Sequence, residues 1–117
     1  MVEFTKRLSE SLGSHYYSSS GGQPDFARGA MFAANGKSFI VLHSTTSDES
    51  ISRIVAQLHL GAAVTTMKNV VDCVVTEYGV AELRGSSIRE RTRRLIAIAH
   101  PKFRDQLERQ GREIRYL

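Results

Sequence analysis

The sequence has 117 residues, of which 41% are hydrophobic and 24% are charged, and its formal net charge is +4. This length and composition are typical of one globular domain and exclude a disordered tail or a collagen-like fibre. No apolar run approaches the roughly 18 residues of a membrane span, and the first residues lack the apolar core of a secretion signal. Cys73 is the single cysteine and cannot form an internal disulfide or a zinc site alone. We therefore expect a cytoplasmic protein with no metal site and no membrane contact.

The first 36 residues predict a loop-rich segment within a single domain that covers residues 1–117, because they are rich in serine and glycine. The adjacent glycines Gly21 and Gly22 allow backbone N–H groups to approach an anion closely, since neither residue has a Cβ. A plain turn is the alternative interpretation of the same glycines. The segment matches neither the P-loop nor the dinucleotide-binding glycine pattern.

Three segments predict strands. The unbroken apolar run at residues 39–42 is typical of a strand buried on both faces, as in a parallel sheet. Residues 63–66 predict a short strand. Residues 70–76 predict a stronger one, because they are mostly apolar and β-branched.

Helix signals follow two of these strands. A stripe at i, i+3, i+4 and i+7 predicts a helix that ends at Gly61, and it consists of Ile51, Ile54, Val55 and Leu58. Ser87 and Glu90 form a capping box that begins a second predicted helix, which stops at His100 and Pro101.

The last segment of the chain predicts a short helix over residues 102–110, with Phe103 and Leu107 facing inward and Gly111 as its terminator. Residues 113–117 are expected to form an edge strand. Since strands alternate with helices, the predicted class is α/β, with a small, mostly parallel sheet and flanking helices. So small a sheet suggests a piece of something larger, or a chain that needs a partner surface.

The C-terminal third of the chain is basic. Residues 84–115 carry ten basic and four acidic residues, a local charge of +6. An anionic partner is one interpretation and a solvated helix face is the other. We expect no nucleic-acid binding, because no aromatic residues interleave the arginines and no helix–turn–helix pattern is present. The arginines that crowd the second predicted helix are Arg89, Arg91, Arg93 and Arg94.

Candidate chemistry lies at the predicted carboxyl ends of strands, where open α/β sheets bind ligands. Residues 44–48 follow one strand and residues 76–79 follow another. Glu77 in the second segment suits a nucleophile, a base or an orienting group, and the alternative is a loop carboxylate bonded to backbone amides or to an arginine. Structural roles are expected for the histidines, which show no metal-ligand spacing: His15, His43, His59 and His100.

Several stretches together resemble the C-terminal domain of the acetyl-CoA hydrolase/transferase family, which includes acetate and 4-hydroxybutyrate CoA-transferases. They are SSSGGQPDF at residues 18–26, VVTEYGVAELRG at residues 74–85, and RER at residues 89–91 followed by LIAIAHP at residues 95–101. Family members have several hundred residues in two related α/β halves, and this chain resembles only the end of the second half.

The resemblance implies an activity and its partners. In the family, a glutamate attacks an acyl-CoA thioester to give an acyl-glutamyl anhydride and then a glutamyl-CoA thioester. The resemblance places that glutamate upstream of this chain. It therefore implies an upstream catalytic domain or subunit and an isolated chain that is inactive. We also expect homo-oligomers, because a domain severed from its neighbour exposes an apolar face. It also implies coenzyme A as a substrate, exchanged between an acyl-CoA and a small carboxylate, with no permanently bound cofactor.

The same resemblance implies site residues. The GGQPDF segment lines the family's active site, so the amides of Gly21 and Gly22 would stabilise the thioester oxyanion. Glu77 matches a different family segment and would support the site without acting as the nucleophile. The implied substrate- and CoA-binding residues are Gln23, Asp25, Phe26, Ser44, Thr45, Arg53 and Lys68.

Two departures from the family pattern support an alternative. Asp48 and Glu49 stand in a loop that commonly carries lysine and glycine in the family, and acids there would repel CoA phosphates. Lys68 stands where the family tends to have arginine, and it keeps the charge without the bidentate fork. The alternative is a non-catalytic remnant that binds CoA, an acyl-CoA or a partner chain.

Overall fold

A computed structural model describes residues 2–3, 6–7, 10–12 and 15–117. Their strands are β1 (Val2–Glu3), β2 (Lys6–Arg7), β3 (Ser11–Leu12), β4 (His15–Tyr16), β5 (Phe39–Val41), β6 (Ile54–Val55), β7 (Thr66–Met67), β8 (Cys73–Thr76) and β9 (Gly79–Glu82). Their helices are α1 (Gln23–Phe32), α2 (Ile88–Ala97) and α3 (Pro101–Glu113). The α/β class, with small sheets and flanking helices, is confirmed.

The described strands form three small sheets. Their orders are β6-β1-β2-β7, β3-β4 and β5-β8-β9. The expectation of a mostly parallel sheet holds for β5 with β8 only, since the other parallel pair, β1 with β6, was not predicted and the remaining described pairs are antiparallel. The pairing is therefore mixed, and the tight turn between β8 and β9 makes a hairpin that the sequence did not predict.

The core lies where α2 and α3 cover one face of the β5-β8-β9 sheet. Ile40, Val74 and Ala81 form one row across the three strands and are all buried. They belong to one cluster with Leu95 of α2 and Leu107 of α3, so Leu107 faces inward as predicted. Cys73 is also buried, as expected, although its register with Phe39 and Glu82 puts it on the opposite face of the sheet from this cluster.

Strand β5 is buried on one face only. Ile40 is 6% exposed, but its neighbours Phe39 and Val41 are 58% and 71% exposed. The prediction of a strand buried on both faces is therefore wrong for these described residues. The apolar run has the composition of a covered strand, yet its outer face is open here.

The helix predicted over residues 51–58 is not present. Ile54 and Val55 instead form β6, in parallel register with Val2 and Glu3. The Val2 N–H also donates to the Arg53 carbonyl oxygen at 2.7 Å. The prediction was wrong because this partner strand lies far away in the sequence, and β-branched residues suit a strand once such a partner is available.

Helix α1 lies in the segment predicted to be loop-rich. Pro24 in its first turn and Asp25 beside it are ordinary helix-start signals, because proline fits that turn and an acid complements the helix dipole. Along the helix, Ala27 is the buried residue. Its attachment to the rest of the fold is therefore slight.

The C-terminal helices follow the sequence signals closely at their beginnings. The Ser87 hydroxyl accepts a hydrogen bond from the Glu90 N–H, and the Ser87 N–H donates to the Glu90 carboxylate, which confirms the capping box. However, α3 continues through Gly111, so the predicted terminator and the predicted edge strand at residues 113–117 are both wrong. A Cβ on Gly111 would lie 3.0 Å from the Leu117 side chain, so glycine here allows the C-terminal residues to fold back on the helix. None of the described helices is long and apolar enough to cross a bilayer.

Candidate functional site

The carboxyl ends of the parallel strands β5 and β8 bring Ser44 and Glu77 together. The Ser44 N–H donates to Oε2 of Glu77 at 2.9 Å, and the Ser44 hydroxyl donates to Oε1 at 2.5 Å. Ser44 is fully buried, whereas Glu77 lies exposed in the turn between β8 and β9. Both carboxylate oxygens are therefore held by one buried residue. This pairing agrees with the expectation that the two segments lie at the same end of the sheet.

The charge state of Glu77 follows from these contacts. Burial raises the pKa of Glu77, but hydrogen bonds from the Ser44 hydroxyl and from backbone amides lower it more, so the pKa lies below its ordinary value. Glu77 is therefore ionised at neutral pH. A fixed, ionised carboxylate is suited to orienting or accepting a hydrogen bond and poorly suited to acting as a general acid.

The turn that carries Glu77 is held from both sides. The Thr76 hydroxyl donates to the Ile98 carbonyl oxygen at 2.6 Å and accepts from the Tyr78 N–H at 3.1 Å. Gly79 has a φ of +135°, which favours glycine. Thr76 thus anchors the hairpin to the end of α2. Thr76 was not among the predicted site residues, although its position before Glu77 at a strand end was a usable signal.

Residues 44–53 close into a loop beside this pair. Thr45 and Ser52 form a β-bridge, and the Arg53 N–H donates to the Ser44 carbonyl oxygen at 2.7 Å. Thr45 is buried and Arg53 is half-buried. These backbone contacts hold Ser44 in place beside Glu77. Of the predicted binding residues, Ser44, Thr45 and Arg53 are therefore brought together with Glu77.

The two acids of this loop are bound within the fold. Hydrogen bonds from the Thr46 hydroxyl and from Ser50 lower the pKa of Asp48 to about 2. The Lys102 ammonium donates to the Glu49 carbonyl oxygen at 3.4 Å, and His100 Nε2 lies 3.8 Å from the Glu49 carboxylate. The loop is therefore joined to the beginning of α3.

The Gly21–Gly22 turn leads into α1. Gly21 has a φ of +56°, and a Cβ added there would meet no heavy atom within 4 Å. Gly22 is the N-cap residue of α1. The Gln23 side chain donates to the Thr66 hydroxyl at 2.5 Å, which ties the start of α1 to β7. Asp25 and Phe26 are exposed. Thr66 is a second site residue that the sequence analysis missed, because its role depends on two segments that are distant in sequence.

A cavity of about 450 Å³ separates α1 from strands β5 and β7. Gln23, Phe26 and Thr66 line it together with Lys37 and Phe39. Lys68 lies exposed beyond the end of β7. The hydrogen bonds of the candidate site residues thus form two groups, one around Glu77 and one around Gln23.

Arg91, Arg94 and His100 have structural contacts, whereas the other arginines of α2 and the other three histidines are exposed. Arg91 is buried and donates to the Leu83 carbonyl oxygen at 3.2 Å, and burial lowers its pKa. Arg94 donates to the Glu82 carbonyl oxygen at 2.5 Å. His100 Nδ1 accepts from the Lys102 N–H at 3.2 Å and caps α3. Among the described residues, no three His, Cys, Asp or Glu side chains could hold a metal ion.

Comparisons with known proteins agree on one family. Residues 4–111 match the acetyl-CoA hydrolase/transferase C-terminal domain. The chain is 54% identical over 99 residues to a 4-hydroxybutyrate coenzyme A transferase of Clostridium kluyveri, covering 85% of this chain and 23% of that protein. It is 53% identical over 106 residues to a succinyl-CoA:cyclohexane-1-carboxylate CoA transferase of Geobacter metallireducens, covering 91% of this chain and 24% of that protein.

Solved structures give the same result. RipA from Yersinia pestis superposes with a TM-score of 0.87 at 38% identity, covering 96% of this chain and 25% of that one. A 4-hydroxybutyrate CoA-transferase from Porphyromonas gingivalis superposes with a TM-score of 0.71 at 47% identity, covering 80% of this chain and 22% of that one. The chain thus spans about a quarter of the length of the proteins it resembles.

Proposed function

Because the chain belongs to the acetyl-CoA hydrolase/transferase family, as its C-terminal domain, we propose that it completes the active site of a CoA-transferase whose nucleophilic glutamate lies in an upstream domain or subunit. The observation that carries this proposal is the match of nearly the whole chain to that domain, with curated relatives named as CoA transferases. Those relatives are about four times as long, since the chain covers 23% and 24% of them.

The proposed reaction exchanges coenzyme A between an acyl-CoA and a small carboxylate. The upstream glutamate attacks the thioester carbonyl and expels CoA as a thiolate, which forms an acyl-glutamyl anhydride. The thiolate then attacks the glutamyl carbonyl and releases the first carboxylate, which leaves a glutamyl-CoA thioester. An incoming carboxylate reverses these steps and departs as the new acyl-CoA. Two thioester exchanges of similar energy thus replace one difficult displacement.

In this proposal, Gly21 and Gly22 supply backbone N–H groups to the oxyanion that develops in each step. Such donors are worth about 2.7–4 kcal/mol in transition states of this type. The absence of side chains on both glycines supports this role, because a carbonyl oxygen can approach the backbone there. Gln23, Asp25 and Phe26 form the adjoining wall, and the bond from Gln23 to Thr66 supports a fixed position for that wall.

Glu77 acts in the proposal as a positioning residue rather than as the nucleophile. Its two oxygens accept hydrogen bonds from Ser44, and a carboxylate occupied in this way is a weaker nucleophile than a free one. Thr45 and Arg53 brace the loop that holds Ser44, whereas the exposed Lys68 offers a cation to a CoA phosphate. Homo-oligomerisation of the assembled enzyme remains part of the proposal.

A non-catalytic remnant that binds CoA, an acyl-CoA or a partner chain is the second candidate. The acidic loop at Asp48 and Glu49 favours it, because ionised carboxylates repel phosphates.

The test is acyl exchange between acetyl-CoA and labelled acetate, with borohydride trapping of any glutamyl-CoA thioester. The chain is assayed alone and as a fusion in which it replaces the 99 matching residues of the Clostridium kluyveri relative. We expect no exchange by the chain alone, and exchange with a trapped adduct on an upstream glutamate in the fusion.

Two variants of the fusion sharpen the result. Glu77→Gln should lower exchange while the upstream adduct still forms, because the proposed nucleophile is intact. Glu108→Gln on the exposed surface of α3 is the matched control and should leave exchange unchanged. An adduct on Glu77 would contradict the placement of the nucleophile, and a folded fusion that binds acyl-CoA without exchange would favour the remnant.

A further inference from the structure

One face of the β5-β8-β9 sheet is open and apolar. Val41, Val75 and Val80 lie in register across the three strands and form a row. This row lies on the face opposite to the buried row of Ile40, Val74 and Ala81, because successive strand residues point to opposite sides. Phe39 lies two residues before Val41 on the same face. We define Phe39, Val41, Val75 and Val80 as the open sheet face.

The exposure of this face is large for apolar side chains. Phe39, Val41 and Val80 are all more than half exposed, and Val75 is half-buried. At its margin, Lys37 and Glu82 form an ion pair at 3.4 Å. An apolar centre with a charged margin is the usual anatomy of a protein–protein interface.

The surface of helices α2 and α3 differs from the open sheet face. None of the described large hydrophobic residues that are exposed lies in α2 or α3. These helices present arginines and other polar side chains outward and cover the opposite side of the same sheet. The exposed side chains of α2 and α3 are therefore polar, whereas those of the open sheet face on the opposite side are apolar. Exposed large hydrophobic residues also lie outside this sheet, among them Phe26 and Phe32 of α1 at 82% each and Leu60 at 98%.

The sequence of β5 points in the same direction. An unbroken apolar run without polar alternation is typical of a strand that is covered on both faces. In the described residues, only one of the faces is covered. Residues that cover the second face must therefore come from outside these residues. The longer relatives contain such residues. About three quarters of each long relative has no counterpart in this chain, and the matched family domain is the C-terminal one.

We propose that the open sheet face is the surface on which the upstream part of the polypeptide docks. This inference rests on the proposed function for the existence of that upstream part and adds the surface that receives it. Docking there removes the exposed valines from water. It also fixes the orientation of the hairpin turn, because Val80 lies on the strand that immediately follows Glu77. The occupant is an apolar surface of the same enzyme rather than a second copy of this chain.

The experiment measures thiol accessibility, which does not depend on disrupting the interface. Val41→Cys and Val80→Cys are made singly in the chain alone and in the fusion with the upstream part of the Clostridium kluyveri relative. Gln106→Cys on the exposed surface of α3 is the matched control. The native thiol, Cys73, is buried and gives a low background. Maleimide labelling rates are compared at equal protein concentrations.

We expect both sheet-face thiols to react at least about ten times more slowly in the fusion than in the chain alone, with the Gln106→Cys rate unchanged. Equal rates in both proteins would overturn the proposal. Protection in the chain alone, together with a dimer in sedimentation, would overturn it in favour of a second copy. Exchange activity is assayed in the same fusion. Protected thiols without exchange would contradict the proposed function and leave the docking surface intact, whereas exchange with reactive thiols would contradict the docking surface alone.

Discussion

At the scale of single residues, the Ser44–Glu77 pair links stability to pH. Ser44→Ala removes the hydroxyl that donates to Glu77 at 2.5 Å. We expect the pKa of Glu77 to rise and the free energy of unfolding at neutral pH to fall by about 1 kcal/mol, the typical worth of one hydrogen bond. A larger loss is not expected, since the exposed carboxylate can bind water instead.

The sign of the pH dependence follows from the depressed pKa. A carboxylate whose pKa is lower in the folded than in the unfolded state contributes stability above its unfolded pKa of about 4.3. That contribution is lost as the pH falls through the folded pKa. The difference between wild type and Ser44→Ala should therefore shrink in denaturation curves recorded below about pH 4. Ser47→Ala, on the exposed loop nearby, is the control. A pH-independent difference would exclude Glu77 as the cause.

The two glycines before α1 are expected to respond differently to alanine. Gly21 has a φ of +56°, so Gly21→Ala should cost about 1–2 kcal/mol of backbone strain despite the open space around it. Gly22 has a φ of −83°, and its added Cβ would meet only the edge of the exposed Phe26 ring at 3.3 Å. Gly22→Ala should therefore have a much smaller effect.

Hydrogen exchange of the α1 amides measures this difference locally. Gly21→Asn is the matched control, because asparagine tolerates positive φ better than alanine does. Equal loss of α1 protection in Gly21→Ala and Gly22→Ala would contradict the assignment of the effect to backbone strain.

The candidate site was partly predictable from the sequence. Strand-end positions alone placed Ser44 and Glu77 at one edge, because both strands were recognised from their apolar composition. The bond from Gln23 to Thr66 was not predictable, since it joins the beginning of an unrecognised helix to a strand 43 residues away. Side-chain partners that depend on such distant segments leave no local periodicity.

At the scale of elements, the arginines of α2 divide into structural and exposed members. Arg91 is buried against β9 and donates to the Leu83 carbonyl oxygen, whereas Arg89 is exposed. We expect Arg91→Ala to lower the free energy of unfolding by about 2 kcal/mol or more, through lost packing of the buried side-chain stem and the lost hydrogen bond to the Leu83 carbonyl oxygen. Arg89→Ala should change it by less than about 0.5 kcal/mol.

Chemical denaturation of the two variants tests this division, and their helicity by circular dichroism shows whether α2 persists. Equal losses of stability would mean that Arg91 contributes only as a surface charge. The same contrast explains why a count of arginines misleads. Sequence spacing placed four arginines on one helix, but the Arg91 side chain is buried and therefore cannot reach an external anion.

Elements with strong local signals were predicted well, and elements that depend on distant partners were not. The capping box at Ser87 and Glu90 correctly marked the beginning of α2 because both halves of the signal are local. The stripe from Ile51 to Leu58 has helical spacing. However, Ile54 and Val55 pair in parallel with Val2 and Glu3 as β-strands. Tertiary pairing outweighed a periodicity that was compatible with either structure.

At the scale of the whole molecule, stability is expected to be unevenly distributed. The β5-β8-β9 sheet and helices α2 and α3 share the buried cluster around Val74 and Leu95, whereas Ala27 is the buried residue of α1. Regions with few buried apolar contacts open locally at low free energy, while core elements exchange only through global unfolding.

Hydrogen exchange across the chain should therefore show two classes of amide. In the chain alone, amides of α1 should exchange at least about a hundred times faster than those of β8 and α2, which corresponds to a difference of about 2.7 kcal/mol in opening free energy. In the fusion with an upstream part, the β5 amides should slow while those of α3 stay constant, because α3 lies on the opposite side of the sheet from the proposed docking surface. Uniform protection in the chain alone would contradict this division, since it would require α1 to be held as firmly as the core.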